Sequence, residues 1–194
     1  MPPRPSVLLP QIPDDWLADT ANSLGLTNGS PTPSQGDPAS RAAGPSPDRR
    51  FYSASNGTVA VVGWENPLDH GQGYGFRIRI QGDDGQTYTY GHTDPASPKV
   101  QAGDRVTQGQ YLGDYADPTN GHSTGSHTHF EVRDPSQPLQ PDLLPKIKHS
   151  RNQGAVVDPS SYIGIVKPNA RIKSPFGDRT IDGKSEYHPG IDLR

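Results

Sequence analysis

The segment Ser123–Arg133, STGSHTHFEVR, decides both the fold and the chemistry expected of this chain. In an extended strand, alternate residues point to the same face of the sheet. His127, His129 and Glu131 would then share one face, and Phe130 would point to the opposite face, where a core can form. Two imidazoles side by side suit a metal ligand beside an acid–base group. Because an isolated HxH pair also fits two ordinary surface histidines, the rest of the chain has to decide between these interpretations.

Short strands are predicted on both sides of this segment. Thr58–Val62 is β-branched, and Phe76–Ile80 alternates apolar and charged residues, the pattern of a half-buried strand. The pair Asp84-Gly85 favours a tight hairpin turn before the next strand. Further strands are predicted at Thr87–Tyr90, Tyr111–Gly113 and Ile163–Val166. No long amphipathic helix is indicated from Phe51 onward, so the predicted fold class is mainly antiparallel β.

The composition limits the classes of protein to which this chain can belong. The 194 residues include 22 Gly and 22 Pro with 29% hydrophobic residues, which favours short strands, many turns and some disorder. The formal net charge of −3 gives no electrostatic reason to expect nucleic acid as a partner. No apolar run approaches the roughly 20 residues of a membrane span. The chain has no cysteine, so any metal must be held by histidine and carboxylate side chains.

Two regions of different composition are predicted. Residues 1–48 hold ten of the 22 prolines and are interpreted as a flexible arm, with one short helix expected around Trp16. Residues 49–194 form the predicted domain, with the Pro-rich, polar stretch 134–154 as an inserted loop.

Several motifs occur together, and their sequences are more specific than their spacings. Four of them follow one another: Gly57–Gly63 (GTVAVVG), Tyr90–His92 (YGH), Val100–Gln110 (VQAGDRVTQGQ) and Ser123–Arg133. Together they resemble the lysostaphin/LytM-type family of zinc endopeptidases that cut peptidoglycan peptides. Two later segments, Ser174–Arg179 (SPFGDR) and His188–Leu193 (HPGIDL), resemble the amino-terminal motif of that family.

The order of these motifs departs from the family pattern, in which the SPFGxR and HxxxD segment precedes the GTV strand. Here Asp158–Tyr162 resembles the closing segment of the family, and the opening segment follows it. One explanation is a circularly permuted domain, with the family's ends joined near residues 165–173. The other is an incomplete tandem copy. Permutation is favoured because each motif occurs once and none is missing, and permuted ends are physically tolerable at a surface.

The resemblance implies a duplicated-hybrid-motif-like fold and a complete zinc peptidase site. It assigns His188, Asp192 and His129 as zinc ligands, and His92 and His127 as catalytic histidines that do not bind the metal. Independently, two imidazoles and one carboxylate leave a coordination position open, which is typical of catalytic rather than structural zinc. Glu131 is expected to form a surface salt bridge, with a partnership to the His129 imidazole as the alternative.

The predicted function is zinc-dependent hydrolysis of the peptide cross-links of bacterial peptidoglycan. The alternatives are an inactive peptidoglycan-binding relative and a structural virion protein; a biotinyl-type carrier would need a lysine on a tight hairpin, which is not found. Since no signal peptide is recognised, the sequence predicts a phage tail-associated or lytic protein acting in the periplasm or cell wall. The arm would contact other tail proteins. The walls of the substrate cleft are expected at residues 66–75, 117–122 and 134–154.

Overall fold

Antiparallel strands are the main regular elements of the computed structural model, which describes residues 49–147, 151–181 and 183–194. The predicted arm and the helix expected around Trp16 lie outside the described residues. The predicted mainly antiparallel β class is confirmed. In the described part, the strands are β1 (Arg50–Tyr52), β2 (Gly57–Trp64), β3 (Phe76–Gly82), β4 (Thr87–Gly91), β5 (Arg105–Val106), β6 (Tyr111–Asp114), β7 (Thr128–Asp134), β8 (Ala155–Val157), β9 (Ile172–Ser174), β10 (Gly177–Ile181), β11 (Lys184–His188) and β12 (Gly190–Leu193).

The main sheet has the strand order β5-β2-β3-β4-β7-β12-β9, and β8 pairs with the end of β7. Two separate pairs, β1 with β6 and β10 with β11, form small two-stranded sheets. Strand β7 therefore lies inside the large sheet, hydrogen-bonded to β4 on one side and β12 on the other. In this register His129 stands opposite both Gly91 and Asp192. These three residues of β4, β7 and β12 therefore lie side by side in one row across the sheet.

The two faces of the large sheet differ as the alternation of the sequence predicts. One face packs the main core, whose strand members include Ile78, Ile80, Tyr88, Tyr90, Phe130, Val132, Ile191 and Leu193. The other face carries rows of polar residues, one of which runs through Arg79, Thr89 and Glu131 on β3, β4 and β7. The polar face holds the candidate site, and the apolar face fixes the register that positions it.

The prediction of a strand at Ile163–Val166 is wrong, because this segment is a short α-helix, α1 (Ile163–Val166), which follows a 3-10 helix at Pro159–Tyr162. Asp158 is the N-cap, and its side chain accepts a hydrogen bond from the Ser160 amide at 2.9 Å. Pro159 follows with a backbone angle that suits the first helical turn. This start signal outweighs the β propensity of the three β-branched residues that follow.

The segment predicted as an inserted loop runs from the last residue of β7 to the start of β8 and consists of turns where it is described. Three of its apolar side chains, Leu139, Leu143 and Ile147, are buried. The insertion is therefore packed on the fold. In the described part of the chain, no helix is long and apolar enough to cross a membrane.

Candidate metal centre

The three predicted zinc ligands lie together on the polar face of the sheet. His129 and Asp192 are paired across β7 and β12, and His188 ends β11, four residues before Asp192. Each offers one ligand atom, and these atoms lie within 4.8 Å of one another. All three residues are buried, with 3–8% of their surface exposed. Residues that are 59 positions apart in the chain thus meet in one compact cluster.

The hydrogen bonds around this cluster assign the tautomers of its imidazoles. The Nδ1 atom of His188 lies 2.8 Å from the carbonyl oxygen of Pro175, and Nδ1 of His127 lies 2.6 Å from that of Gly125. Since a carbonyl only accepts, both nitrogens carry a proton and donate it. In His129 the donor is Nε2, which lies 3.1 Å from a carboxylate oxygen of Glu131. One nitrogen of each ring therefore carries a proton that it donates to a neighbouring oxygen.

The opposite nitrogens of the three rings all approach the Oδ1 atom of Asp192. The distances are 3.2 Å from His127 Nε2, 3.1 Å from His129 Nδ1 and 3.3 Å from His188 Nε2. With their protons committed elsewhere, these nitrogens direct lone pairs at a carboxylate oxygen. Such an arrangement needs either additional protons or a cation between the groups.

Zinc fits this donor set. The Nδ1 atom of His129 and the Nε2 atom of His188 are 3.2 Å apart, and their distances to Asp192 Oδ1 are 3.1 and 3.3 Å. A tetrahedral ion with bonds of about 2.0–2.1 Å separates neighbouring ligand atoms by about 3.3 Å. Imidazole and carboxylate together are also typical of catalytic zinc.

The electrostatics of the cluster depend on its carboxylates. Burial would raise the pKa of Asp192, but its close contacts with the imidazoles of His127, His129 and His188 hold it far below its usual range. Burial alone would lower the pKa of His129, yet Asp192 and Glu131 outweigh it and raise that pKa to about 9. Without a metal, His129 is therefore protonated at neutral pH and balances part of the negative charge.

The two predicted catalytic histidines border this cluster. His92 directly follows β4, has a positive φ of 56° and is 4% exposed. Its ring centroid lies 4.8 Å from that of His127 and 6.1 Å from that of His129. Burial, followed by the neighbouring imidazoles of His129 and His127, lowers the pKa of His92 to about 3. His92 is thus a neutral imidazole, and its buried Nδ1 atom makes no hydrogen bond within the described residues.

The expectation of a surface salt bridge at Glu131 is wrong. Glu131 is 1% exposed, because the side chains of Tyr74, His129 and Arg133 surround its carboxylate on the sheet face. Its carboxylate accepts hydrogen bonds from His129, from the Tyr74 hydroxyl at 2.8 Å and from the Arg133 guanidinium. These contacts hold the pKa of Glu131 well below its usual range against the opposing effect of burial. Glu131 therefore orients the His129 ring, which is the interpretation that the sequence analysis gave second.

Three residues near the site were missed by sequence reasoning. Tyr74 reaches Glu131 from the loop after β2, where positive-φ glycines at 73 and 75 allow its close approach. Lys173 directs Nζ to the carbonyl oxygen of Gly125 at 3.1 Å. Arg179 pairs with Glu186 and lies 4.0 Å from Asp192. Lys173 and Arg179 lie in or next to the SPFGDR motif, which was the available signal.

The remaining histidines lie outside this cluster or outside the described residues. His70 stacks on the Trp64 indole with ring centroids 3.6 Å apart, and His122 is an exposed loop residue. His149 lies outside the described residues. The cluster therefore contains the five residues that the family resemblance assigns, His92, His127, His129, His188 and Asp192. Their individual catalytic and metal-binding roles stay predictions.

Three solved structures illustrate the similarity to known proteins. The catalytic domain of the antimicrobial peptidase lysostaphin from Staphylococcus simulans is 29% identical, with a TM-score of 0.38 over 44% of this chain and 59% of that domain. LytU is 24% identical, with a TM-score of 0.33 over 44% of this chain and 54% of its own. A catalytic-domain mutant of the prophage-encoded M23 protein EnpA from Enterococcus faecalis is 28% identical, with a TM-score of 0.36 over 47% of this chain and 63% of the EnpA chain. This chain thus covers less than two thirds of each of these chains, and no curated protein matches it.

A model of peptidase family M23 matches residues 42–141, just over half of the chain. The matched part includes His92, His127 and His129 and ends before His188 and Asp192. The resemblance to lysostaphin/LytM-type peptidases is confirmed by this match, and the chain belongs to peptidase family M23.

Proposed function

We propose that this chain is a zinc-dependent endopeptidase that hydrolyses peptide cross-links of bacterial peptidoglycan. The observation that carries the proposal is the convergence of four histidines and one aspartate on the polar face of the sheet, with three imidazole nitrogens 3.1–3.3 Å from one Asp192 oxygen. The substrate class is proposed from the family's motifs. The phage location and the tail partners of the arm stay predictions.

His129, His188 and Asp192 would hold the zinc. When bound, zinc in such a site polarises a substrate carbonyl and brings the pKa of a bound water towards neutral. His127 is placed to move the proton, since Gly125 holds its Nδ1–H and leaves Nε2 facing the ligand cluster. Nε2 would accept a proton from the attacking water as the C–O bond forms. It would then return that proton to the departing amine as the C–N bond breaks.

His92 would act as a neutral hydrogen-bond donor to the oxygen that gains negative charge. Its pKa of about 3 keeps the ring neutral, and its positive φ keeps it in a strained conformation over the site. A preorganised donor of this kind stabilises the transition state because it needs no reorientation during the reaction.

We also propose that the domain is circularly permuted relative to its family. In the family order, the strand with the metal-binding aspartate runs on towards the GTV strand. Here the two ends of that missing connection lie beside one residue, Tyr115. The Tyr115 amide donates to the Arg49 carbonyl at 3.0 Å, and the Arg194 guanidinium hydrogen-bonds the Tyr115 side chain. A permuted domain requires these two points to be close in space, and they are.

The permutation can be tested by restoring the family order. A chain opened at the exposed turn Pro168–Asn169, with Arg194 joined to Arg49 by a short flexible linker, should fold and bind zinc as the parent does. A reordered chain that is unfolded or unable to bind zinc would favour the tandem-copy explanation.

The function is tested by digesting purified peptidoglycan with the zinc-loaded chain and identifying the released muropeptides by mass spectrometry. The wild type should create new peptide termini, and Asp192→Ala should create none. Asp178→Ala is a matched control, because it removes an exposed carboxylate of β10 that lies outside the cluster. Absence of cleavage by the wild type across several wall types would contradict the proposal.

A further inference from the structure

A second apolar cluster lies apart from the main core, beside the segment that carries His188. It consists of Leu139, Leu143 and Ile147 from the insertion together with Val156 of β8, and Phe176 and Tyr187 pack against it. We refer to residues 135–147 as the clamp segment. Leu143 is 6% exposed and Ile147 is 2% exposed, so these side chains are buried as deeply as core residues.

The two aromatic residues in this cluster are direct neighbours of the groups that orient His188. Tyr187 precedes His188 in β11, and Phe176 follows Pro175, whose carbonyl oxygen accepts the Nδ1 proton of His188 at 2.8 Å. The two rings contact each other edge to face, with centroids 5.6 Å apart. A displacement of either ring would therefore move the His188 backbone or its hydrogen-bond acceptor.

Among the described residues, the β10–β11 hairpin has no strand partner in the large sheet. An isolated two-stranded hairpin is marginally stable in water, so its position depends on side-chain packing. A polar link between the clamp segment and the hairpin is the ion pair of Lys146 and Asp178 at 2.9 Å. The side chains of this pair are 43% and 73% exposed, and exposed ion pairs contribute little to stability. The buried apolar cluster is therefore the main means by which the clamp segment fixes the hairpin.

We propose that the clamp segment is a positioning element for the metal ligand His188, with Leu143 and Ile147 acting through Phe176 and Tyr187. This inference rests on the proposed zinc function. It gives the insertion a role other than the cleft wall expected from the sequence. Orientation of a metal ligand by its surroundings typically changes metal affinity by about 10–100-fold.

The test compares Leu143→Ala with Leu112→Ala, which makes the same truncation in the main core, where Leu112 is fully buried. Zinc affinity is measured by competition with a chromophoric chelator, and amide hydrogen exchange is measured in the metal-free protein. Leu143→Ala should weaken zinc binding about tenfold and accelerate exchange in residues 184–192 more than in β3 and β4. Leu112→Ala should leave zinc affinity within about twofold of the wild type.

A gentler pair, Ile147→Val and Ile80→Val, covers the case in which the alanine variants do not fold, because each removes a single buried methylene. Ile147→Val should weaken zinc binding and accelerate exchange in residues 184–192 more than Ile80→Val does. Both effects should be smaller than those of Leu143→Ala. Equal zinc affinities in the clamp and core variants, together with unchanged exchange in residues 184–192, would overturn the inference. If the wild type binds no zinc, the proposed function fails, while the exchange measurement still decides whether the clamp segment holds the hairpin.

Discussion

Two regions of the molecule supply the ligands of the candidate metal centre in different ways. His129 and Asp192 stand opposite each other on β7 and β12, inside a sheet that is hydrogen-bonded on both sides. His188 ends a hairpin that forms its own two-stranded sheet. Backbone ladders therefore position the first two ligands, whereas side-chain packing positions the third. One half of the site is therefore built into the large sheet, and the other half belongs to a hairpin that packs beside that sheet.

The two regions also differ in the group that orients each imidazole. The second nitrogen of His129 donates to the buried carboxylate of Glu131, which Arg133 and Tyr74 hold in place. The second nitrogen of His188 donates to the backbone carbonyl of Pro175. A charged side-chain network therefore orients the imidazole on the sheet side, whereas a neutral backbone carbonyl orients the imidazole on the hairpin side.

Removing one ligand from each region should have the largest effect on metal binding. His129→Ala and His188→Ala should each weaken zinc binding by more than the roughly 100-fold typical of a lost supporting residue. The metal-free forms of the two variants should differ in their free energy of unfolding. His129→Ala leaves Asp192 and Glu131 buried without the imidazolium between them and should lower the free energy of unfolding by about 3 kcal/mol. His188→Ala should cost about 1 kcal/mol.

Chelator competition and urea unfolding at pH 7 measure these two quantities. Equal destabilisation by the two substitutions would contradict the distinction between the two regions.

Gly190→Ala should disrupt the junction between the regions. A Cβ atom at position 190 would lie 2.6 Å from both His129 Nε2 and the Phe130 carbonyl oxygen, so β12 would have to move away from β7. We expect a loss of about 1–3 kcal/mol or more in the free energy of unfolding and weaker zinc binding. Gly164→Ala is the control, because its Cβ meets nothing within 4 Å. That variant, in helix α1, should be neutral or slightly stabilising in a thermal melt.

Glu131→Gln tests the charge network on the sheet side. The substitution keeps the size of the side chain but removes the negative charge beside His129 and Arg133, so zinc affinity should fall by about 10–100-fold. Tyr74→Phe removes only one hydrogen bond to Glu131 and should have a smaller effect. An unchanged affinity in Glu131→Gln, measured by chelator competition, would show that Glu131 does not orient the ligand.

The pH dependence of zinc binding tests the charge balance on the sheet side without a substitution. With its pKa raised to about 9, His129 is protonated in the metal-free protein at pH 7 and must release that proton to bind zinc. Apparent affinity should therefore rise about tenfold per pH unit between pH 7 and 9 and then level off. Calorimetric titration in buffers of different ionisation enthalpy measures the proton released. An affinity that does not change between pH 7 and 8.5 would mean that His129 is already neutral.

The predictable parts of the fold were those in which local pattern and tertiary structure agree. The period of two in Phe76–Ile80 and around His129 predicted strands with one apolar and one polar face, and the structure has both. At Ile163–Val166 the two levels disagree, because the cap at Asp158 and Pro159 starts a helix that the β-branched residues do not suggest. The cap is a local signal, and at this site it outweighs the β propensity of the residues that follow.

Burial and long-range packing could not be predicted in the same way. The buried carboxylate of Glu131 contacts Tyr74, which lies 57 positions away in the chain, and no local pattern reports that neighbour. The burial of Leu139, Leu143 and Ile147 had a signal in their spacing of four residues, but the prolines around them indicated a loop. The grouping of the site residues, in contrast, followed from motifs whose order in the chain differs from that in the family.

The most direct test of the proposed metal centre is a zinc titration of the metal-free chain followed by native mass spectrometry. We predict one zinc per monomer in the wild type and none at the same concentration in Asp192→Ala. This result would show that the carboxyl-terminal ligands complete the site on their own chain. Zinc bound only by a dimer, or retained by Asp192→Ala with wild-type affinity, would contradict a site formed by His129, His188 and Asp192 of one chain.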